Sequence, residues 1–364
     1  MTVRTLLLNP GPVTLSNRVR DTLSMDDWCH REPEFAALTR SINARLAQIY
    51  ETADAEYRAV LLTGSGTCAV EAMLATFAPT DSKTLVVANG VYGERMAAML
   101  RAMQRPTVTM TAAWTAPIDL DAVERSLDEH PDVSHVVAVH HETTTGRLNE
   151  IGGLGELCVA RDRALMLDAV SSFGAENIRF RQWNLAAVAG TANKCLHGVP
   201  GLSFVVADET RFLEGERNAG SVYLDLRGYY RTQHADGYSP FTLAVNAAFA
   251  LDAALDELSE DGGWRARRQR YREIGRSVRS CLGDLGIQTL IPESDLSSVM
   301  SSYRLPPDRD YDSLHDALKA QGFIIYAGQG EFSEKIFRIA HMGDIHDDDV
   351  RNLNAALTAF LGIA

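Results

Sequence analysis

The sequence predicts an α/β protein, with a smaller α+β unit toward the C-terminus. Three observations carry this. Segments of strand length and composition at 59–63, 84–88, 107–111, 133–140, 164–167, 185–189 and 202–206 are separated by segments of helical or loop character. Such alternation is how parallel strands are joined, because each crossover must return to the same end of the sheet. Beyond residue 214 the regular alternation gives way to a polar, aromatic-rich stretch and long helical patterns. Finally, 364 residues are enough to bury one large core and a second, smaller one.

Taken in order, residues 1–15 read as an extended arm broken by the turn Pro10-Gly11-Pro12. A short helix is expected over Asn17 to Met25, then a polar connection. Phe35 to Tyr50 has apolar residues at Phe35, Leu38, Ile42, Leu46 and Ile49, the spacing of an amphipathic helix. The strand 59–63 runs into Gly64-Ser65-Gly66-Thr67, with a helix from Cys68 to Phe77. Strand, glycine turn and helix N-terminus form a seat for an anion, because free N–H groups and the helix dipole point at it. The turn is neither a Walker loop nor GxGxxG, so a nucleotide reading has no motif. The strand 84–88 leads to a loop holding Tyr92, followed by a helix over Met96 to Met103. After the strand 107–111, Asp119 caps a helix over Leu120 to Glu129, and 133–140 is a strand ending in Thr143-Thr144-Thr145. A helix spans Ile151 to Asp162.

Past residue 206, Glu214 to Tyr238 reads as irregular. Helices are expected over Thr242 to Leu258 and Arg265 to Leu285. Strands at 299–304, 323–326 and 335–340 and helices at 311–321 and 350–361 complete the second unit. The resulting division is an arm at 1–15, a large domain at 16–245 and a small domain at 246–364.

The net charge of −13 shows no basic patch for a nucleic-acid backbone. Five cysteines at irregular spacing give no disulfide framework and no zinc motif, so no metal is expected. No apolar run reaches membrane-spanning length, and Leu6-Leu7-Leu8 stops at Asn9-Pro10, which argues against a signal peptide; a cytoplasmic location is expected.

Two residues carry the chemistry. Asp168 ends an apolar run, and Lys194 follows the next one inside the small-residue stretch Gly190 to Gly198. Alone, Lys194 also reads as an ordinary loop lysine. With Asp168 it has the layout a pyridoxal phosphate enzyme needs: an amine for the Schiff base and a carboxylate for the pyridinium nitrogen.

The whole chain resembles the class V family of fold-type-I pyridoxal phosphate aminotransferases. Matching stretches are Leu6 to Pro12, Gly64 to Thr67, Asn89 to Met96, Glu142 to Gly146, Asp168 to Gly174 and Ala192 to Gly201. The resemblance implies a large domain with a mainly parallel seven-stranded sheet, and a homodimer with shared active sites. It implies Lys194 and Asp168 as catalytic residues. Ser65, Gly66, Thr67, Tyr92, Thr143, Val170, Asn193 and Thr242 would hold the cofactor. Thr242 would reach the phosphate of the other subunit. Arg338, with Asn9, Gly11 and Arg31, would bind substrate. Without the family, Arg338 reads as a surface arginine on an edge strand.

Within the family the chain is most similar to the branch that transfers the amino group of 2-aminoethylphosphonate to pyruvate. The stretches 29–35 and 338–343 look more like alanine–glyoxylate and serine–pyruvate relatives, so both donors stay open. A cysteine desulfurase needs a nucleophilic cysteine on a C-terminal loop, where the chain offers only Cys281 in a helical pattern. A non-catalytic cofactor-binding protein is the remaining alternative.

Overall fold

The computed structural model describes residues 4–51, 56–214 and 220–362. Seven strands make the central sheet: β1 (Tyr57–Thr63), β2 (Lys83–Ala88), β3 (Thr107–Thr111), β4 (Val133–Val139), β5 (Ala164–Asp168), β6 (Leu185–Thr191) and β7 (Leu202–Asp208). Their order is β1-β7-β6-β5-β4-β2-β3. Only β7 runs against its neighbours; the other pairings are parallel. Six of these strands are largely apolar because helices cover both faces, whereas the edge strand β3 alternates Thr-Val-Thr-Met-Thr and is partly exposed. Alternate residues feed opposite cores. Leu61, Leu85, Val136 and Leu165 pack on one side with Phe35, Leu154 and Leu251, whereas Val60, Val86, Val137 and Met166 pack on the other with Met73 and Leu100.

The helices around this sheet are α1 (Pro33–Gln48), α2 (Gly66–Phe77), α3 (Val91–Ala102), α4 (Leu120–Glu129), α5 (Ile151–Ala160), α6 (Leu226–Ala235) and α7 (Val245–Glu260). Three boundaries differ from expectation in ways that matter. The helix α2 begins at Gly66 rather than Cys68, which brings its first N–H groups into the glycine turn. Tyr92 lies in the first turn of α3 rather than in a loop. The stretch expected to be irregular contains α6, capped by the Asp225 side chain. Its apolar face (Leu226, Tyr229, Tyr230) is hidden in sequence by aromatic and polar neighbours.

A second sheet of three antiparallel strands, β8 (Met300–Arg304), β9 (Tyr326–Ala327) and β10 (Ile336–Ala340), has the order β8-β10-β9. The helices α8 (Gly263–Asp284), α9 (Tyr311–Ala320) and α10 (Asp347–Leu361) share its core. The arm belongs here too. Its strand Leu6–Leu7 pairs parallel with Phe323–Ile324, and Leu6 and Leu8 enter the same apolar cluster. No described helix is long and apolar enough to cross a membrane.

Candidate functional site

In an open α/β sheet, ligands bind beyond the carboxyl ends of the strands, where the strand order changes direction. Here β3 lies on one side of β2 and β4 on the other, and Asn89-Gly90 and His140-His141 leave that crevice. The residues singled out from sequence converge on these strand ends.

Asp168 is the last residue of β5 and is buried; its Oδ1 accepts the Val170 N–H at 3.0 Å. Burial pushes its carboxyl up to about 6, while the Val170 N–H and the charges of Lys194 and Arg95 pull it back. The carboxyl is therefore mainly ionised at neutral pH. Desolvation brings the Lys194 ammonium down to about 8, against opposing pulls from Cys195 and Asp168. Its Nζ donates to the Pro10 carbonyl of the arm. Gly11 makes that approach possible: its φ is +101°, and a β-carbon there would sit 2.9 Å from Lys194 Cγ. Asn9 shapes the same turn, its Nδ2 donating to the Pro12 carbonyl at 3.1 Å. Beside the lysine, Asn193 Oδ1 accepts from Thr191 Oγ1 at 2.8 Å.

The glycine turn has the expected form. Ser65 caps α2 without a side-chain cap bond, and its carbonyl accepts from the N–H groups of Cys68 and Ala69. Among the described residues nothing accepts from the N–H groups of Gly66 and Thr67, which stand at the positive end of the helix dipole. A β-carbon on Gly66 would fall 2.5 Å from Val170 Cγ1, so Val170 closes tightly over this turn.

Thr143 sits in the turn between the two-residue strands His141–Glu142 and Arg147–Leu148. Its Oγ1 is buried and has no partner, a hydroxyl held ready for a ligand. Its carbonyl accepts from Arg338 Nη1 at 2.8 Å. Arg338 also donates through Nε to the Ala327 carbonyl at 2.8 Å and stacks over Tyr326 at 5.2 Å. It is 2% exposed on the middle strand β10, so the reading of a surface arginine on an edge strand is wrong: three strands and the 143–146 turn enclose it. Its Nη2 has no protein acceptor among the described residues.

Arg31 and Thr242 make no hydrogen-bond contact with Lys194, Asp168 or Arg338 among the described residues. Arg31 Nη1 donates to the Ser239 carbonyl at 2.9 Å, and Thr242 Oγ1 is 3.3 Å from His30 Nε2. Both residues are exposed. The Thr242 carbonyl accepts from Thr63 Oγ1, which ties this segment to the end of β1 beside the glycine turn.

Two residues with no assigned role from sequence stand inside the cluster. Glu142 is wholly buried and accepts from Tyr92 N–H; the Arg95 guanidinium lies 4.8 Å over the Tyr92 ring. A lone acid directly after a buried strand, and an arginine three places past Tyr92, are the signals that point to them.

This donor set fits a flat, phosphate-bearing aldehyde. It offers an amine of lowered basicity, a buried carboxylate, free N–H groups at a helix start, an unpartnered hydroxyl and an arginine with an open edge. Known proteins agree. Residues 27–330 match the family Aminotransferase class-V. A 2-aminoethylphosphonate–pyruvate transaminase of Bacillus cereus (strain G9842) is 33% identical over 350 residues, covering 96% of this chain and 95% of that one. One from Bacillus anthracis is 32% identical over the same span. Among solved structures, an alanine–glyoxylate aminotransferase from Nostoc sp. superposes with a TM-score of 0.91 at 23% identity, covering 99% of this chain and 96% of that one. A pyridoxamine-pyruvate aminotransferase from Mesorhizobium loti gives 0.87 at 24%, covering 100% and 94%. The chain belongs to the class V aminotransferase family and is a pyridoxal phosphate-dependent transaminase.

Proposed function

We propose that this enzyme transfers the amino group of 2-aminoethylphosphonate to pyruvate, giving phosphonoacetaldehyde and L-alanine. The observation that carries the reading is near-full-length similarity to transaminases of that name, together with a buried Arg338 whose open edge suits an anion. A planar guanidinium grips a carboxylate through two parallel N–H bonds, which an ammonium cannot do.

The roles follow from the chemistry of each group. Bound pyridoxal phosphate supplies an aldehyde that condenses with amines and a ring that withdraws electrons from the neighbouring carbon. The N–H groups of Gly66 and Thr67, with the Ser65 and Thr67 hydroxyls, hold its phosphate. Tyr92 and Val170 would line the space for its ring, and the unpartnered Thr143 hydroxyl would be free to meet its phenolic oxygen. Asn193 braces the strand end before the lysine. Asp168 keeps the ring nitrogen protonated by offering it a fixed negative charge. Lys194 Nζ holds the cofactor and then carries the proton from the amino-bearing carbon of the substrate. Neutral amine is accessible near pH 7 because burial has already lowered its basicity. Arg338 would take the keto acid, and the arm around Asn9 and Gly11, which meets Lys194 through Pro10, would line the same space. Arg31 supports the segment carrying Thr242.

Ser65, Thr67 and Thr242 are exposed in the single chain, as are Leu23, Met25 and Trp28, of which Leu23 and Trp28 meet the helix following Thr242. A homodimer in which Thr242 of each chain serves the other's phosphate seat would cover this surface. The reading keeps an arm, a large domain and a small domain, but α7 packs its apolar face into the larger core, which carries the large domain past 245 to 260. Five unpaired cysteines suit a reducing cytoplasm.

The test is a donor panel on the purified enzyme, following the visible absorbance of the cofactor. 2-Aminoethylphosphonate is expected to convert it faster than serine or alanine at equal concentration, with pyruvate restoring it. A response to serine or alanine with glyoxylate, and none to the phosphonate, overturns the donor and leaves the transaminase.

A further inference from the structure

We propose that Glu142 is the positioning residue that couples the two halves of this site. Its carboxylate fastens the first turn of α3, which carries Tyr92, to the turn that carries Thr143 and receives Arg338. The inference rests on the roles given above to those three residues.

The geometry is specific. Oε2 of Glu142 accepts the Tyr92 N–H at 3.2 Å, and Oε1 accepts both the hydroxyl and the N–H of Thr144, at 2.7 and 3.3 Å. The Glu142 carbonyl accepts from Gly146 N–H at 2.9 Å and closes the turn around Thr143. Thr143 then passes the constraint on, since its carbonyl holds Arg338 Nη1. One carboxylate thus sets the ring-covering tyrosine, the phenol-facing hydroxyl and the anion-binding arginine relative to one another. The site has been shaped to admit it. A β-carbon on Gly90 would fall 2.2 Å from the Glu142 carboxyl carbon. Gly90 has φ 173°, extended backbone open to any residue, so what is excluded there is side-chain volume.

An anion at this place is favoured by the start of α3 and disfavoured by its surroundings. Burial, then the Asp168 charge on β5, push the Glu142 carboxyl up to about 7, against the hydrogen bonds of Thr144 and Tyr92. On β10, burial lowers the Arg338 guanidinium, against opposing pulls from Tyr92, Tyr326, Tyr311 and, least, Glu142. Arg95 is the remaining cation on that turn of α3, over the Tyr92 ring.

The test compares wild-type holoenzyme with Glu142→Gln. The amide keeps the shape and can still accept from Thr144, but it turns an NH2 group toward the Tyr92 N–H. KM for pyruvate is expected to rise about tenfold, the loss of one charge-assisted hydrogen bond, with kcat within about threefold. A second readout needs no turnover. A buried carboxyl raised above its unfolded value stabilises the fold at low pH and loses that contribution as pH rises through about 7. The thermal midpoint of wild type minus variant should therefore fall between about pH 5 and about pH 8. A structural contact with no positioning role would leave the KM for pyruvate unchanged whatever the midpoint does. Gly90→Ala displaces the same carboxylate from the other side, and should raise KM in the same direction even if Glu142→Gln does not fold. Unchanged KM in whichever variants fold, or a midpoint difference flat with pH, overturns the proposal. A wild type that turns over no donor instead overturns the transaminase roles, and the two failures are distinguishable.

Discussion

The guanidinium of Arg338 and the carbonyl of Thr143 are 195 residues apart in the chain and 2.8 Å apart in space. This bond joins the small sheet to the turn after β4. With the Nε bond to Ala327 it fixes the orientation of the guanidinium and leaves Nη2 without a protein acceptor among the described residues. Preorganised groups of this kind contribute most when the geometry is rigid and the site is dry.

Arg338→Lys keeps the charge but cannot serve Thr143, Ala327 and a carboxylate together. Loss of the fork should cost about 2 kcal/mol, roughly thirtyfold in KM for pyruvate. Steady-state kinetics checks this, with cofactor absorbance unchanged as the control. A KM within about twofold of wild type would show that another group receives the keto acid.

Lys194 should react as an amine of unusually low basicity. Only the neutral form attacks an aldehyde, and burial lowers the ammonium to about 8. Cofactor-stripped enzyme should recapture pyridoxal phosphate at a rate that climbs with pH and levels off beyond about 8. A midpoint near the value of an ordinary lysine would contradict the enclosed site. Lys194→Ala should retain cofactor without the covalent link and lose turnover.

Asp168→Asn keeps the size and one acceptor oxygen but removes the charge. The proton-transfer half-reaction should slow by a factor corresponding to about 3 kcal/mol or more, measured by stopped-flow absorbance. In wild type the same carboxyl, raised to about 6 by burial, predicts activity falling as pH drops through that value. Asn at 168 should erase that acid limb. A rate within about threefold of wild type would place the acid elsewhere.

Gly66→Ala puts a β-carbon 2.5 Å from Val170 Cγ1. Overpacking of this kind should lower stability by about 1–3 kcal/mol and weaken cofactor binding by moving the start of α2. Val170→Ala in the same chain should restore much of both, in thermal melts and in cofactor titration. Failure of the second change to rescue the first would mean the turn is strained for another reason.

Much of the fold was legible because its signals are local. A strand buried on both faces is a largely apolar run, and six of the seven are visible as one; the edge strand β3 instead alternates Thr-Val-Thr-Met-Thr and is partly exposed. Lys194 and Asp168 stand out as isolated charges at the ends of such runs, and the turn at 64–67 is marked by its two glycines. The start of α3 was missed because Gly90 and Gly93 look like loop, although each lacks a side chain for reasons of space. A β-carbon at Gly93 would meet Ala88, and one at Gly90 would meet Glu142. The helix α6 was missed because its apolar face is built from tyrosines among polar neighbours.

The sequence by itself determined the α/β class and marked Lys194, Asp168 and the turn at 64–67 as candidates, each written within a few consecutive residues. Tertiary structure alone decided that the arm reaches Lys194 through Pro10, that Arg31 is bound to the Ser239 carbonyl, and that Glu142 meets Tyr92. It also decided that Arg338 is buried on a middle strand against Thr143. The reason is physical. Local periodicity records which face of an element is buried, but not what it is buried against. That is set by strand order and by the packing of segments far apart in the chain, and no short stretch of sequence carries it.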